Sequence, residues 1–81
     1  MRLTQIAFIL INCNAIDIDN VIASVSVFSE VVRVHKLEGP YDIILKINGE
    51  DVEKIKEFVS SNVKKIVKIK HTLTLPVNKL N

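Results

Sequence analysis

The stretch Gly39-Pro40-Tyr41-Asp42-Ile43-Ile44-Leu45-Lys46-Ile47 decides how the chain is read. It opens with a turn and runs straight into an apolar strand. Pro40 fixes its own φ, has no N–H, and biases Gly39 away from the helical region. Tyr41, Ile43, Leu45 and Ile47 then recur at every second position, with Ile44 on the other side. That period belongs to a strand, here spanning residues 41–48. Residues 31–37, before the turn, are also mainly apolar. Arg33, His35 and Lys36 interrupt them, which suits a strand near a sheet edge. The turn therefore joins two neighbouring strands.

Working toward the N-terminus, Ile6-Ala7-Phe8-Ile9-Leu10-Ile11 is apolar at every position. A short run of this kind, rich in β-branched residues, reads as a central strand covered on both faces. Asn12-Cys13-Asn14 ends it. Ile18, Val21, Ile22, Val25 and Phe28 follow at helical spacing, and Asp17 or Asp19 can cap the helix start. Working toward the C-terminus, Gly49 marks a break. Glu50, Asp51 and Glu53 favour a helix start. Val52, Ile55, Val59 and Val63 supply its apolar stripe, with Phe58 beside it. Residues 67–75 alternate. Val67, Ile69, His71, Leu73 and Leu75 fall on one face, and Lys68, Lys70, Thr72 and Thr74 on the other. Pro76 ends this strand, and residues 78–81 read as a short tail.

The order β-α-β-β-α-β predicts an α+β fold, the ferredoxin-like sandwich, with both helices on one sheet face. The connection rules place the first and third strands in the centre. These are also the two most apolar strands. The open sheet face would still show residues of the 6–11 run and Ile44. A second copy of the same sheet is its simplest cover, giving a sheet-to-sheet dimer, a dimeric α/β barrel.

Composition bounds the rest. The 81 residues fit one domain, 1–81, and 48% hydrophobic with 25% charged residues is globular usage. A net charge of +2 gives no strong push toward nucleic acid or membrane. The single Cys13 rules out an internal disulfide and a multi-cysteine metal site, and fits a reducing cytoplasm. No apolar run approaches the roughly 20 residues that span a bilayer. No convincing leader precedes the first strand. The expectation is a cytoplasmic protein without a membrane segment.

Few residues carry candidate chemistry. Near the bend, N–H groups without strand partners can receive a carboxylate, and Asp42 can accept an ammonium group. Together with Tyr41 they would grip a small zwitterion such as an amino acid. The ordinary reading is a rigid hairpin loop with a surface Asp, and on local sequence alone it wins. Thr72 and Thr74 share a strand face and can hydrogen-bond a ligand lying there, although Thr is common in strands. His35, His71 and Cys13 have no partner set for a metal or for catalysis, and read as structural. Lys64, Lys65, Lys68 and Lys70 form the one basic cluster. It can touch phosphate, but a solvated helix end and charged edge strand is the better account. The central strands lack the aromatic platform of ferredoxin-like RNA binders. No phosphate loop, nucleophile elbow or paired carboxylates stand out, so neither enzyme nor cofactor is expected.

The chain resembles the effector-binding domain of the Lrp/AsnC transcription factors, also called the RAM domain, from about residue 6 to 77. The main motif is Gly-x-Tyr/Phe-Asp followed by an apolar strand, here from Gly39 to Ile47. Thr72-Leu73-Thr74-Leu75 is similar to the closing Thr-x-Thr strand, and residues 7–11 look like the family's first strand. The resemblance implies homodimers whose sheets face each other, often assembled as a tetramer of dimers, an octamer. It implies an amino-acid effector bound between dimers, in contact with Gly39, Tyr41 and Asp42 and near Thr72 and Thr74. Full-length members carry an N-terminal helix-turn-helix domain. Few residues precede the first strand here, so the expectation is a stand-alone form without direct DNA binding, able to join full-length Lrp/AsnC regulators. Where the family often breaks with Pro-Gly before the second and fourth strands, this chain has Ser29-Glu30 and Lys65-Ile66. The other functions weighed are a purely structural oligomeric module that has lost ligand binding, and a weak nucleic-acid binder through residues 64–70.

Overall fold

The expected element order is found in a computed structural model that describes residues 5–77; the tail read at 78–81 lies outside the described residues. Strand β1 (Gln5–Cys13) leads through a 3-10 turn (Ala15–Asp17) into helix α1 (Ile18–Ser26). Strands β2 (Val31–Lys36) and β3 (Ile43–Gly49) follow. Helix α2 (Val52–Phe58), extended by a π-helical turn (Val59–Val63), precedes β4 (Ile69–Pro76). The sheet order is β2-β3-β1-β4 with every pair antiparallel, so the first and third strands are central. This is the ferredoxin-like arrangement.

The all-apolar run of β1 resolves into two faces. Ala7, Ile9 and Ile11 are buried, while Ile6, Phe8 and Leu10 between them are half-buried. β3 repeats the pattern, with Ile43, Leu45 and Ile47 buried and Ile44 half-buried. Register places Ile9 opposite Leu45 and Ile11 opposite Ile43. Directly opposed residues share a face. These side chains form one core with Val21 and Val25 of α1 and with Ile55, Val59 and Val63. Each fully buried aliphatic side chain contributes about 1.5–3 kcal/mol.

The helices are placed by their ends as well as by their stripes. The Lys54 N–H donates to Asp51 Oδ1 at 2.8 Å, an N-cap worth about 1 kcal/mol. Asp17 occupies the N-cap position of α1, but its side chain makes no cap bond. It is instead largely buried, with Oδ1 3.9 Å from Lys68 Nζ. Asp19 pairs with Lys36 at 3.1 Å on the surface. Past Phe58 the helix widens. The Lys64 N–H reaches back to the Val59 carbonyl at 2.9 Å, and Asn62 Nδ2 donates to the Phe58 carbonyl at 3.2 Å. Phe28 and Phe58 meet edge to face at 5.3 Å between ring centroids and hold the two helices together.

Two expectations about facing are corrected. The last strand does not alternate through its whole length. Asn12 pairs with His71 but Cys13 pairs with Ile69, so β4 has an irregularity at Lys70. The extra residue reverses the alternation. Ile69 packs against the core, whereas His71, Leu73 and Leu75 lie with Asn12, Leu10 and Phe8 on the open face. Thr72 and Thr74, opposite Ile11 and Ile9, point to the helix side. Tyr41 does not open the buried face of β3. It precedes the strand and stacks on His71.

The open face carries Ile6, Phe8, Leu10 and Ile44, all half-buried, together with Leu73 and Leu75 at 40% and 44% exposure. The side-chain oxygens of Asn12 and Asn48 are buried with no hydrogen-bond partner among the described residues. Both asparagines alternate onto this face, one toward each end of the central strands. Among the described residues no helix is long and apolar enough to cross a membrane.

Candidate functional site

The turn between β2 and β3 is tied to the sheet through one residue. The Asp42 N–H donates to the Ile11 carbonyl at 2.9 Å, and the Leu37 N–H donates to the Asp42 carbonyl at 2.8 Å. The Asp42 side chain then accepts from the Cys13 N–H, at 3.0 Å to Oδ2. Asp42 thus prolongs the β1–β3 ladder by one backbone bond and ends it with its carboxylate. Gly39 has φ +126°, a value side chains resist, and nothing lies within 4 Å of where its Cβ would stand. The position needs glycine for its backbone, not for space. The Gly39 and Tyr41 amides make no backbone hydrogen bond among the described residues.

Tyr41 lies against His71 with centroids 6.4 Å apart and planes 22° from parallel. His71 borders a depression of about 320 Å³ together with Lys64, Ile69, Lys70 and Thr72. A second depression of about 240 Å³ lies beside it, lined by Lys56, Val59, Ser60, Lys64 and Thr74. Lys64 belongs to both. No acidic residue lines either one.

Around Cys13 the electrostatics are unfavourable to a thiolate. Burial pushes its pKa up, and the Asp42 and Asp17 carboxylates push the same way; Lys70 opposes them. A thiol in this setting is a poor nucleophile. The reading of Cys13 as structural agrees with this. Among the described residues no group of three or more His, Cys, Asp or Glu side chains is placed to hold a metal ion.

The structure brings some of the candidate residues together and separates others. Thr72 and His71 line one depression, and Tyr41, which is not among its lining residues, stacks on His71. Thr74, on the same strand face, lines the neighbouring one. Gly39 is at an exposed tip, and Asp42 directs one carboxylate oxygen into the chain's own backbone. Lys64, Lys70 and His71 were not among the candidate ligand residues, yet they form the walls beside Thr72. The interleaving of Lys and Thr along residues 68–74 points to Lys70 alone, and it reads equally well as a solvated edge.

The comparisons with known proteins bear on the fold and the family. The Lrp/AsnC ligand-binding domain family matches residues 6–79. No curated protein sequence matches the chain. Among solved structures, a Thermus thermophilus protein is 22% identical with a TM-score of 0.87, covering 95% of this chain and 96% of its own. AsnC of Escherichia coli is 23% identical with a TM-score of 0.88, over 94% of this chain and 52% of that one. A transcriptional regulator of Neisseria meningitidis, solved in complex with L-Met, is 22% identical with a TM-score of 0.83. That match covers 93% of this chain and 50% of the regulator. The chain thus spans nearly all of the first protein and about half the length of the other two. At these identities the likeness shows the fold. The family match spans almost the whole chain, and the sheet order and helix placement are those it calls for. The chain therefore belongs to the Lrp/AsnC ligand-binding domain family, a family of transcriptional regulators rather than of enzymes.

Proposed function

We propose that the chain, as one domain, is an amino-acid-sensing and assembly module, working in the cytoplasm, that binds a small amino-acid effector between dimers. The observation that carries this reading is the tethered turn. Asp42 fixes the loop to the end of β1, the Gly39 and Tyr41 amides have no backbone partners, and Tyr41 stacks on His71, one of the residues lining the depression at Thr72. Free amides suit a carboxylate, and the second oxygen of Asp42 suits an ammonium. Gly39, Tyr41, Asp42, Thr72 and Thr74 are the proposed contacts. A site formed this close to the surface is completed by a neighbouring dimer, in an octamer of four dimers or alongside full-length Lrp/AsnC regulators.

Assembly is supported by the open sheet face. Half-buried and exposed aliphatic side chains line it, and two orphan carboxamide oxygens are set within it. A second sheet covers the first and can bring donors to the second. The test of sensing is calorimetry against all twenty amino acids. Absence of binding at millimolar concentration, with the oligomer intact, defeats it.

One observation favours a second reading, a structural module without a ligand. Asp42 Oδ2 is already engaged by the Cys13 N–H, so the carboxylate has a role with no effector present. On that reading Asp42→Asn leaves assembly and any amino-acid response unchanged. A measured affinity that this substitution abolishes would exclude it. Nucleic-acid binding through residues 64–70 has less support, because no aromatic side chain other than His71 lines either depression and His71 already stacks on Tyr41.

A further inference from the structure

The depression lined by Lys56, Val59, Ser60, Lys64 and Thr74 is a cleft between two elements, the widened second helix and the edge strand β4. Its walls depend on the π-helical turn. At about 3.6 residues per turn, a regular helix would point Lys64 about 80° away from Lys56. The wider turn over Val59–Val63 is closed by the Lys64 N–H on the Val59 carbonyl. It advances fewer degrees per residue, which carries Lys64 back to the side of Lys56 and Ser60. Turns of this kind recur at functional sites. Both ammonium groups are uncommitted. Among the described residues neither lysine makes an ion pair, and the carboxylates of the same helix, Glu53 and Glu57, are exposed and outside the cleft lining. The hydroxyls are uncommitted too. Ser26 Oγ donates back to the Ile22 carbonyl at 2.6 Å, a common habit of helical serine. The Ser60 and Thr74 hydroxyls make no hydrogen bond among the described residues.

We propose that this cleft holds the phosphate group of a small phosphorylated metabolite, with Lys56, Ser60, Lys64 and Thr74 as its donors. A phosphate monoester carries a charge of about −1.5 to −2 at neutral pH and has three strongly accepting oxygens. Two ammonium groups match that charge. Donors on both sides of the cleft match acceptors spread over a tetrahedron. A carboxylate offers a single charge and two oxygens in one plane, and leaves part of the set unused. The rest of the metabolite has room past Lys64, where the adjoining depression of about 320 Å³ adds Lys70, His71 and Thr72. The site depends neither on the Gly39–Asp42 turn nor on amino-acid sensing. Thr74 is the one proposed contact common to both.

Amide NMR of the whole chain tests this, by titration with inorganic phosphate, with glycerol phosphate, and with sodium chloride at matched ionic strength. Saturable shifts at Ser60, Lys64 and Thr74 are expected with both phosphates and not with chloride. Lys56→Met and Lys64→Met keep the aliphatic stems and are each expected to weaken glycerol phosphate about tenfold. Lys65→Met removes the same charge outside the cleft and is expected to stay within about twofold of the wild type. Ser60→Ala retains the helix, so its expected loss of about fivefold does not come from unfolding. An equal loss in all three lysine variants is general attraction of anions and overturns the site. So does the absence of saturation at tens of millimolar phosphate. If inorganic phosphate binds and glycerol phosphate does not, the cleft takes a free anion and the metabolite assignment fails. Single-stranded DNA that binds far more tightly than glycerol phosphate, and is weakened as much by Lys65→Met as by Lys64→Met, makes this a nucleic-acid surface and overturns the small-ligand assignment.

Discussion

The Cys13 backbone N–H donates to Asp42 Oδ2 across 3.0 Å, joining two residues 29 positions apart. The bond closes the end of the central strand pair. It couples the residue proposed to grip a ligand to the strand that carries the core, so affinity and stability are linked through one carboxylate.

That linkage can be separated by two substitutions. Asp42→Ala leaves a part-buried amide without its acceptor and is expected to cost about 1–2 kcal/mol, read as a lower urea midpoint at unchanged slope. Asp42→Asn keeps an acceptor oxygen and is expected to cost less than half as much. If the alanine variant unfolds at the wild-type midpoint, the bond contributes nothing and the turn is held by its backbone bonds alone.

The two glycines of the chain make opposite demands. A Cβ at Gly49 would stand 2.6 Å from Ile55 Cγ1, inside the core. Gly49→Ala is therefore expected to cost about 1–3 kcal/mol by overpacking. Gly39→Ala meets no atom but must hold φ +126°, a strain of order 1 kcal/mol that acts on the turn. Urea titrations should rank Gly49→Ala as the more damaging, and Gly39→Ala should alter ligand affinity more than stability. The reverse ranking would contradict the packing described around Ile55.

Much of this fold is legible in the sequence. Period-two alternation in β3 and the apolar run of β1 gave the central strands, because burial imposes those patterns directly. The stripe Val52, Ile55, Val59 and Val63 gave the second helix. What stayed hidden depended on single contacts. Nothing in the spacing of residues 67–75 marks the irregularity at Lys70, which reverses the facing of Ile69 against His71. The π-helical turn and the Asn62 bond to the Phe58 carbonyl leave the apolar spacing unchanged, so they give no signal. The Gly39–Asp42 turn was visible as a candidate. The grouping of Lys64, Lys70 and His71 beside Thr72 was not, since it joins the end of a helix to an edge strand.

Cys13 supplies a pH-dependent prediction. Its pKa lies above 9.0, the ordinary thiol value, mainly because the thiol is buried. The folded state therefore holds the proton more tightly than the unfolded chain. Stability from this group is complete below pH 9.0 and falls as pH rises past that value. Urea midpoints measured from pH 8 to 10.5 should fall more steeply for the wild type than for Cys13→Ala. The native thiol should also react with N-ethylmaleimide near pH 7 far more slowly than the thiol in urea. Equal alkylation rates would show that the thiol is exposed, against its 7% exposure here.

The proposed sheet-to-sheet dimer has its sharpest test at Leu73. Its register partner is Leu10, and it is 40% exposed on the open face, so the isolated fold tolerates a polar replacement there. In a face-to-face dimer the same position is desolvated. Leu73→Glu would bury a carboxylate from each copy, at a cost of several kcal/mol per ion, which is enough to dissociate a small interface. The expected result by light scattering is a dimer or larger assembly for the wild type at micromolar concentration, and a folded monomer for the variant with an unchanged circular dichroism spectrum. Asn12 and Asn48 add a second signature. Each buried unpaired oxygen costs about 1–3 kcal/mol, so donors from a second sheet would stabilise the wild-type dimer and be lost in the variant. A wild-type chain that scatters as a monomer, or a Leu73→Glu variant that assembles normally, would place the interface on some other surface and leave the aliphatic face of β1 and β4 without this explanation.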